Sequence, residues 1–130
     1  MPQYDREQFD PPAPVVKVIV RTLDRARAVL DVAMLIDSGS DMTLIPRACA
    51  DQLELPSRIV EGIRLQGFWG GDRPAEVIQA EVGFLGRNFH GHFPLIEGRF
   101  GILGRNVLNE LSLLLDGPRL NWQEVSKATS

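Results

Sequence analysis

The sequence predicts a mostly β domain with two short helices. Short apolar runs, several of them β-branched, recur from Val15 to Trp122 and are cut by Gly, Pro and Asp turns. Apolar residues at helical spacing occur in only two places, after Pro46 and after Gly104. The chain has 130 residues, 44% of them hydrophobic, the length and apolar content of one domain around one core.

Residues Met1 to Ala13 read as a flexible N-terminal arm, because Pro11, Pro12 and Pro14 bar helix and regular ladder pairing. The domain proper is expected over residues 14–123. Val15 to Val20 is a first strand, Arg21 to Arg27 a charged turn, and Ala28 to Ile36 a second strand that pairs with the first. Ala33-Met34-Leu35-Ile36 is apolar at four consecutive positions, the pattern of a strand buried on both faces. Thr43 to Ile45 continues extended, and Pro46 suits the first turn of a short helix ending near Leu55-Pro56. Ile59 to Leu65 alternates, Gly67-Phe68-Trp69-Gly70-Gly71 makes a hairpin tip, and Ala75 to Phe84 returns as a strand. Asn88 to Ile96 is the next strand. Ile102-Leu103 is a short buried strand leading into Gly104, and Val107, Leu108 and Leu111 then fall at helical spacing over Arg105 to Leu111. Leu113 to Leu115 and Leu120 to Trp122 flank the Asp116-Gly117-Pro118 turn. Gln123 and Glu124 onward look too polar to extend that strand, which leaves 124–130 as a polar tail.

The balance of 14 basic against 17 acidic residues, net charge −3, offers no general attraction to nucleic acid or anionic membrane. The single cysteine, Cys49, excludes an internal disulfide and a Cys-based metal cage, and suits a buried position on the first helix. The N-terminal residues lack the apolar core of a signal peptide, and no apolar run approaches the ~20 residues that cross a bilayer, so a cytoplasmic location is expected.

Chemistry concentrates at Asp37-Ser38-Gly39-Ser40. A buried strand delivers an acid to a tight turn, where Ser38 and Gly39 offer hydroxyl and backbone N–H donors and Gly39 admits turn geometries closed to other residues. Ile102-Leu103-Gly104-Arg105 repeats the design, with an always-charged Arg opening a helix; an ion pair between Arg105 and Asp41 is expected. Other constellations are poorer. Ser38 and Ser40 lack the Gly-x-Ser-x-Gly frame of a nucleophile elbow. His90 and His92 share one strand face without an obvious further ligand, so a solvent-facing pair and no metal are expected. Gly67 to Gly71 lacks the spacing of a nucleotide-binding loop, and no cofactor is expected.

Taken together, Leu35-Ile36-Asp37-Ser38-Gly39-Ser40-Asp41, the glycine hairpin Gly67 to Gly71, and Gly101-Ile102-Leu103-Gly104-Arg105-Asn106-Val107-Leu108 resemble the retroviral-type (retropepsin-like) aspartic proteases, in order and spacing over roughly residues 15 to 123. The resemblance implies an all-β acid protease fold with a glycine-rich flap, working as a symmetric dimer on an extended peptide or protein substrate. Acid proteolysis needs two carboxylates around one water. This chain has one Asp-Ser-Gly turn, since Asp116-Gly117-Pro118 lacks the hydroxyl residue and Pro118 removes an N–H, so Asp37 is expected to meet its symmetry mate in a homodimer. In that picture Ser38 hydrogen-bonds across the axis, the Gly39 carbonyl binds substrate, and Phe68, Trp69, Gly70 and Gly71 form the flap. Ser40 stands where many retroviral enzymes carry Ala, and its hydroxyl is expected to donate to ionised Asp37. The alternative is a non-proteolytic dimerisation or peptide-binding module on the same fold.

Overall fold

The computed structural model describes residues 2–66 and 72–125. In chain order the elements are β1 (Val15–Arg21), β2 (Ala28–Ile36), β3 (Ile45–Pro46), α1 (Arg47–Gln52), β4 (Arg58–Gln66), β5 (Asp72–Phe84), β6 (Arg87–Ile96), β7 (Gly101–Leu103), α2 (Arg105–Leu108), β8 (Leu113–Asp116) and β9 (Asn121–Glu124). Among the described residues, strands β3-β6-β5-β1-β2-β7 form one sheet in that order, β4 pairs with β5, and β8-β9 is a separate ribbon. No helix among them is long and apolar enough to cross a membrane.

Alternation builds the core. In β1, Val16, Val18 and Val20 are buried while Lys17 is exposed, so one face carries the apolar residues. Ala80, Val82 and Phe84 of β5 repeat the pattern, and Met34, Ile45, Leu103 and Val107 close the same cluster. Removing such side chains from water is the main stabilising term, about 1.5–3 kcal/mol for each large one. Cys49 lies in this cluster, as the sequence indicated.

The second strand departs from expectation. Val32 and Met34 are buried, but Ala33, Leu35 and Ile36 are only half-buried, so β2 presents one face to the core and leaves the other partly open. A continuous apolar run need not be buried on both faces, because much of a folded chain's surface is itself apolar. The ribbon is also longer than expected: Leu113 pairs with Glu124, so Gln123 and Glu124 belong to β9. Backbone pairing with β8 extends the strand while both side chains stay exposed. Helix α2 ends at Leu108 rather than Leu111, with turn residues following.

Residues 2–13, expected as an arm, pair with the body through single bridges. Gln3 bridges Asn121, and Trp122 N–H donates to the Pro2 carbonyl at 3.0 Å. Asp5 and Ala13 exchange backbone hydrogen bonds of 2.8 and 3.1 Å, closing residues 5–13 into a loop. The prolines there limit pairing to these isolated bridges. The hairpin tip Gly67 to Gly71, with Phe68 and Trp69, lies outside the described residues.

Candidate active site

Asp37 is placed where three chain segments meet. Strand β2 runs parallel to β7 in the register Met34 to Gly101, Leu35 to Ile102 and Ile36 to Leu103. The Asp37 N–H extends this ladder by one bond, donating to the Leu103 carbonyl at 3.1 Å. The chain then turns, with Ser40 N–H donating to the Asp37 carbonyl at 3.1 Å, and returns on the far side of β7. There Leu44 and Ile102 exchange bonds of 2.8 and 2.9 Å. Strand β7 is therefore held from both sides by the two limbs of the Asp37 turn, which helps to fix the turn.

The return passes very close to Gly104. A Cβ there would lie 2.2 Å from the Met42 carbonyl oxygen and 2.5 Å from its carbon, contacts that backbone cannot relieve by rotating a side chain. Gly101 is similarly enclosed, with Met34 Sδ at 2.3 Å and the Leu44 carbonyl at 2.5 Å from a built Cβ. Both glycines are needed for close approach of two backbones.

Thr43 ties the layers together. It is fully buried, accepts the Gly104 N–H at 3.0 Å through Oγ1, and donates that hydroxyl to Asn106 Oδ1 at 2.7 Å. Neither Thr43 nor Asn106 was expected to have a role here. The sequence signal is a hydroxyl residue six positions after the acid and an amide two positions after the second glycine; only the folded arrangement joins them.

At the turn itself, Gly39 N–H donates to Asp37 Oδ1 at 2.9 Å. The other oxygen, Oδ2, has no hydrogen-bond partner among the described residues. Asp37 is half-buried, and Ser38 and Gly39 are exposed. Gly39 does not use the positive φ open to glycine, which occurs at Gly86 and Gly98 among the described glycines. What Gly39 provides is room, since a Cβ would stand 3.1 Å from Asp37 Oδ1.

Two expected contacts are corrected. Arg105 does reach the turn, but its Nη1 donates to the Ser38 carbonyl at 2.7 Å and its backbone N–H to the Ser40 carbonyl at 2.8 Å; no Arg105–Asp41 ion pair forms. A guanidinium on a carbonyl holds the turn's backbone and leaves Asp41 exposed. Ser40 Oγ donates its proton to the Met42 carbonyl at 2.7 Å, not to Asp37. A hydroxyl has one proton, and the returning chain takes it.

On the outer sheet face a second polar cluster forms away from Asp37. Glu81 has a side chain only 1% exposed, with His90 Nε2 at 2.6 Å, Arg25 Nη2 at 2.9 Å and Arg21 Nη1 at 3.7 Å. Its hydrogen bonds, from His90 first and Arg25 second, hold its carboxyl below the usual carboxylate range against the opposing effect of burial. His90 and His92 are both exposed, as the sequence indicated; cross-strand register with Glu81 in addition gives His90 a carboxylate partner.

No protein-family model matches the sequence, and no curated protein matches it. Among solved structures, the fold is similar to EIAV protease complexed with the inhibitor HBY-793, with a TM-score of 0.59 and 20% sequence identity over 82% of this chain and 91% of that chain. The chain thus has a mostly β, retropepsin-like fold.

Proposed function

We propose that this chain is one subunit of an aspartic endopeptidase, and that Asp37 forms the catalytic dyad with Asp37 of the partner subunit. The observation that carries this reading is the fixed, half-exposed carboxylate. Asp37 sits on a turn clamped from both sides of β7, with Oδ1 oriented by Gly39 N–H and, among the described residues, no second carboxylate bonded to it. One such carboxylate cannot supply both proton transfers of peptide hydrolysis, and two related by a two-fold axis can. The likeness to a retroviral protease fold agrees with that arrangement.

In the proposed reaction the two carboxylates share one proton around a water. The ionised one takes a proton from the water as its oxygen attacks the scissile carbonyl carbon, and the protonated one gives its proton to the carbonyl oxygen. Collapse of the tetrahedral intermediate breaks the C–N bond, with a proton passing to the leaving nitrogen. Ser38 would bond across the axis and the Gly39 carbonyl would receive the substrate's backbone N–H. The segment Phe68-Trp69-Gly70-Gly71 would cover the peptide. Residues 14–123 would make up the working domain, with no metal or organic cofactor.

A peptide-library cleavage assay tests the reading. Wild type is expected to cleave, Asp37→Asn to lose cleavage, and a pepstatin-like transition-state mimic to inhibit. Retained peptide binding without any cleavage would instead support a non-proteolytic peptide-binding module.

A further inference from the structure

A cavity of about 460 Å³ opens where the ladder between β1 and β5 stops. Ile19, Val20 and Arg21 of β1 pair with Gly83, Val82 and Glu81 of β5. Beside Lys17 the chain has already left β5 through the Leu85-Gly86 turn, so Val15 to Lys17 have no strand on that edge among the described residues. Their other edge pairs with β2, next to the Pro14 carbonyl that accepts the Ile36 N–H at 3.0 Å. Hydrogen-bonded pairs alternate along an antiparallel ladder, so Val16 bonds to β2 and the backbone N–H groups of Val15 and Lys17 turn to the open edge.

The walls are apolar. Val15, Val16, Phe84, Leu85 and Trp122 line the cavity, and Pro2 and Gln3 close it on the side of the β8-β9 ribbon. Three features suit an anion with an apolar body. No lining residue is acidic, and Lys17, exposed at the rim, belongs to none of the ion pairs among the described residues. Trp122 is buried against Phe84, with ring centroids 5.9 Å apart, and its Nε1 has no acceptor among the described residues. A buried donor in that state is costly until an acceptor reaches it. Leu85 holds φ at 52° in a two-residue hairpin turn that ordinarily takes Asn or Gly, so a large apolar side chain is kept against the cavity in spite of backbone strain.

We propose that this cavity is a binding site for a small aliphatic carboxylate, whose chain lies between Leu85 and Trp122 and whose carboxylate meets Lys17 and the Trp122 indole N–H. The site goes beyond the peptidase reading and does not depend on it, since none of its lining residues belongs to β2, β7 or the Asp37 turn. One cation and a few neutral N–H donors suit a monoanion. A phosphate would give up more hydration than these apolar walls return.

The test is an NMR titration of the isotope-labelled protein with octanoate, octanol and octylammonium, followed at the indole N–H resonances. The chain has two tryptophans, so the resonance that survives in Trp69→Phe is that of Trp122. Octanoate is expected to shift it saturably, octanol more weakly and octylammonium not at all. Lys17→Gln is expected to weaken octanoate binding about fivefold, the scale of one exposed charge pair. Leu85→Asn suits the turn and removes an apolar wall, so it should weaken binding about tenfold with the fold retained. Absence of a saturable shift with octanoate overturns the inference, and so do equal shifts with octylammonium. A resonance that moves with protein concentration and not with octanoate shows that a second copy covers the cavity, which overturns it as well. The peptidase reading stands in each of these cases.

Discussion

Thr43→Val is the substitution that most sharply separates the internal clamp of the Asp37 turn from ordinary packing. Valine matches threonine in shape, so no cavity forms and the change is chemical. Two hydrogen bonds are lost, from Gly104 N–H to Oγ1 and from Oγ1 to Asn106 Oδ1. Asn106 is exposed and can turn to water, so its loss is small. Gly104 is buried, and its N–H is left facing a methyl group. A buried donor without an acceptor costs about 1–3 kcal/mol, and the lost bonds net about 1 kcal/mol more, which gives roughly 2–4 kcal/mol in total. Thr43→Ser keeps both bonds and removes one buried methyl, an expected loss of about 1 kcal/mol. Urea denaturation at fixed protein concentration reads both, since any association makes apparent stability depend on concentration. The reasoning is refuted if Thr43→Val costs less than Thr43→Ser, because the hydroxyl would then contribute less than the methyl.

Three further outcomes follow from the same contacts. Ser40→Ala is expected to leave the acid limb of a pH–rate profile in place and to lower stability by about 1 kcal/mol, since the hydroxyl serves the Met42 carbonyl; a displaced acid limb in matched profiles would contradict this. Glu81 has a folded-state pKa below the ordinary value of about 4.3, so its contribution is present above that pH and is lost as pH falls through the lowered folded value. Stability measured from neutral pH downward should therefore fall more steeply in that acid window for wild type than for Glu81→Gln, and parallel curves would count against the His90–Arg25 assignment. Burial pushes the Cys49 thiol up to about 11, so a disulfide-exchange reagent near pH 8 should leave it unmodified in folded protein and modify it in urea; rapid modification of the native protein would show that α1 is not packed as described.

Local patterns carried the strands and the acid-bearing turn. Val16, Val18 and Val20 announce their own burial through alternation, and Ile36-Asp37-Ser38-Gly39 announces a strand ending in a turn, because each depends on neighbours within a few residues. The partners of polar side chains were not legible in the same way. Ser40 has a backbone acceptor two residues on, at Met42, and an acid three residues back, and only the path of the returning chain beside Gly104 decides between them. Arg105 faces the turn as the sequence suggested, yet the nearest acceptor is the Ser38 carbonyl and not the Asp41 side chain, a choice set over a separation of 67 residues. Glu81 reads as an ordinary outward-facing strand residue until the register places it between Arg21 and His90. The apolar run around Leu35 misleads for a related reason: hydrophobicity alone does not separate a core face from one left half-buried. The flap residues Phe68, Trp69, Gly70 and Gly71 remain a reading of the sequence.

The central claim is that Asp37 is half of a catalytic site completed by a second copy of the chain. Mixing wild type with Asp37→Asn at constant total concentration, after subunit exchange, tests it directly through the dependence of peptide cleavage on the wild-type fraction. If both subunits must supply a carboxylate, activity falls as the square of that fraction, to about one quarter at equal mixing. A linear fall, to about one half, would show that each chain works alone and would contradict the account.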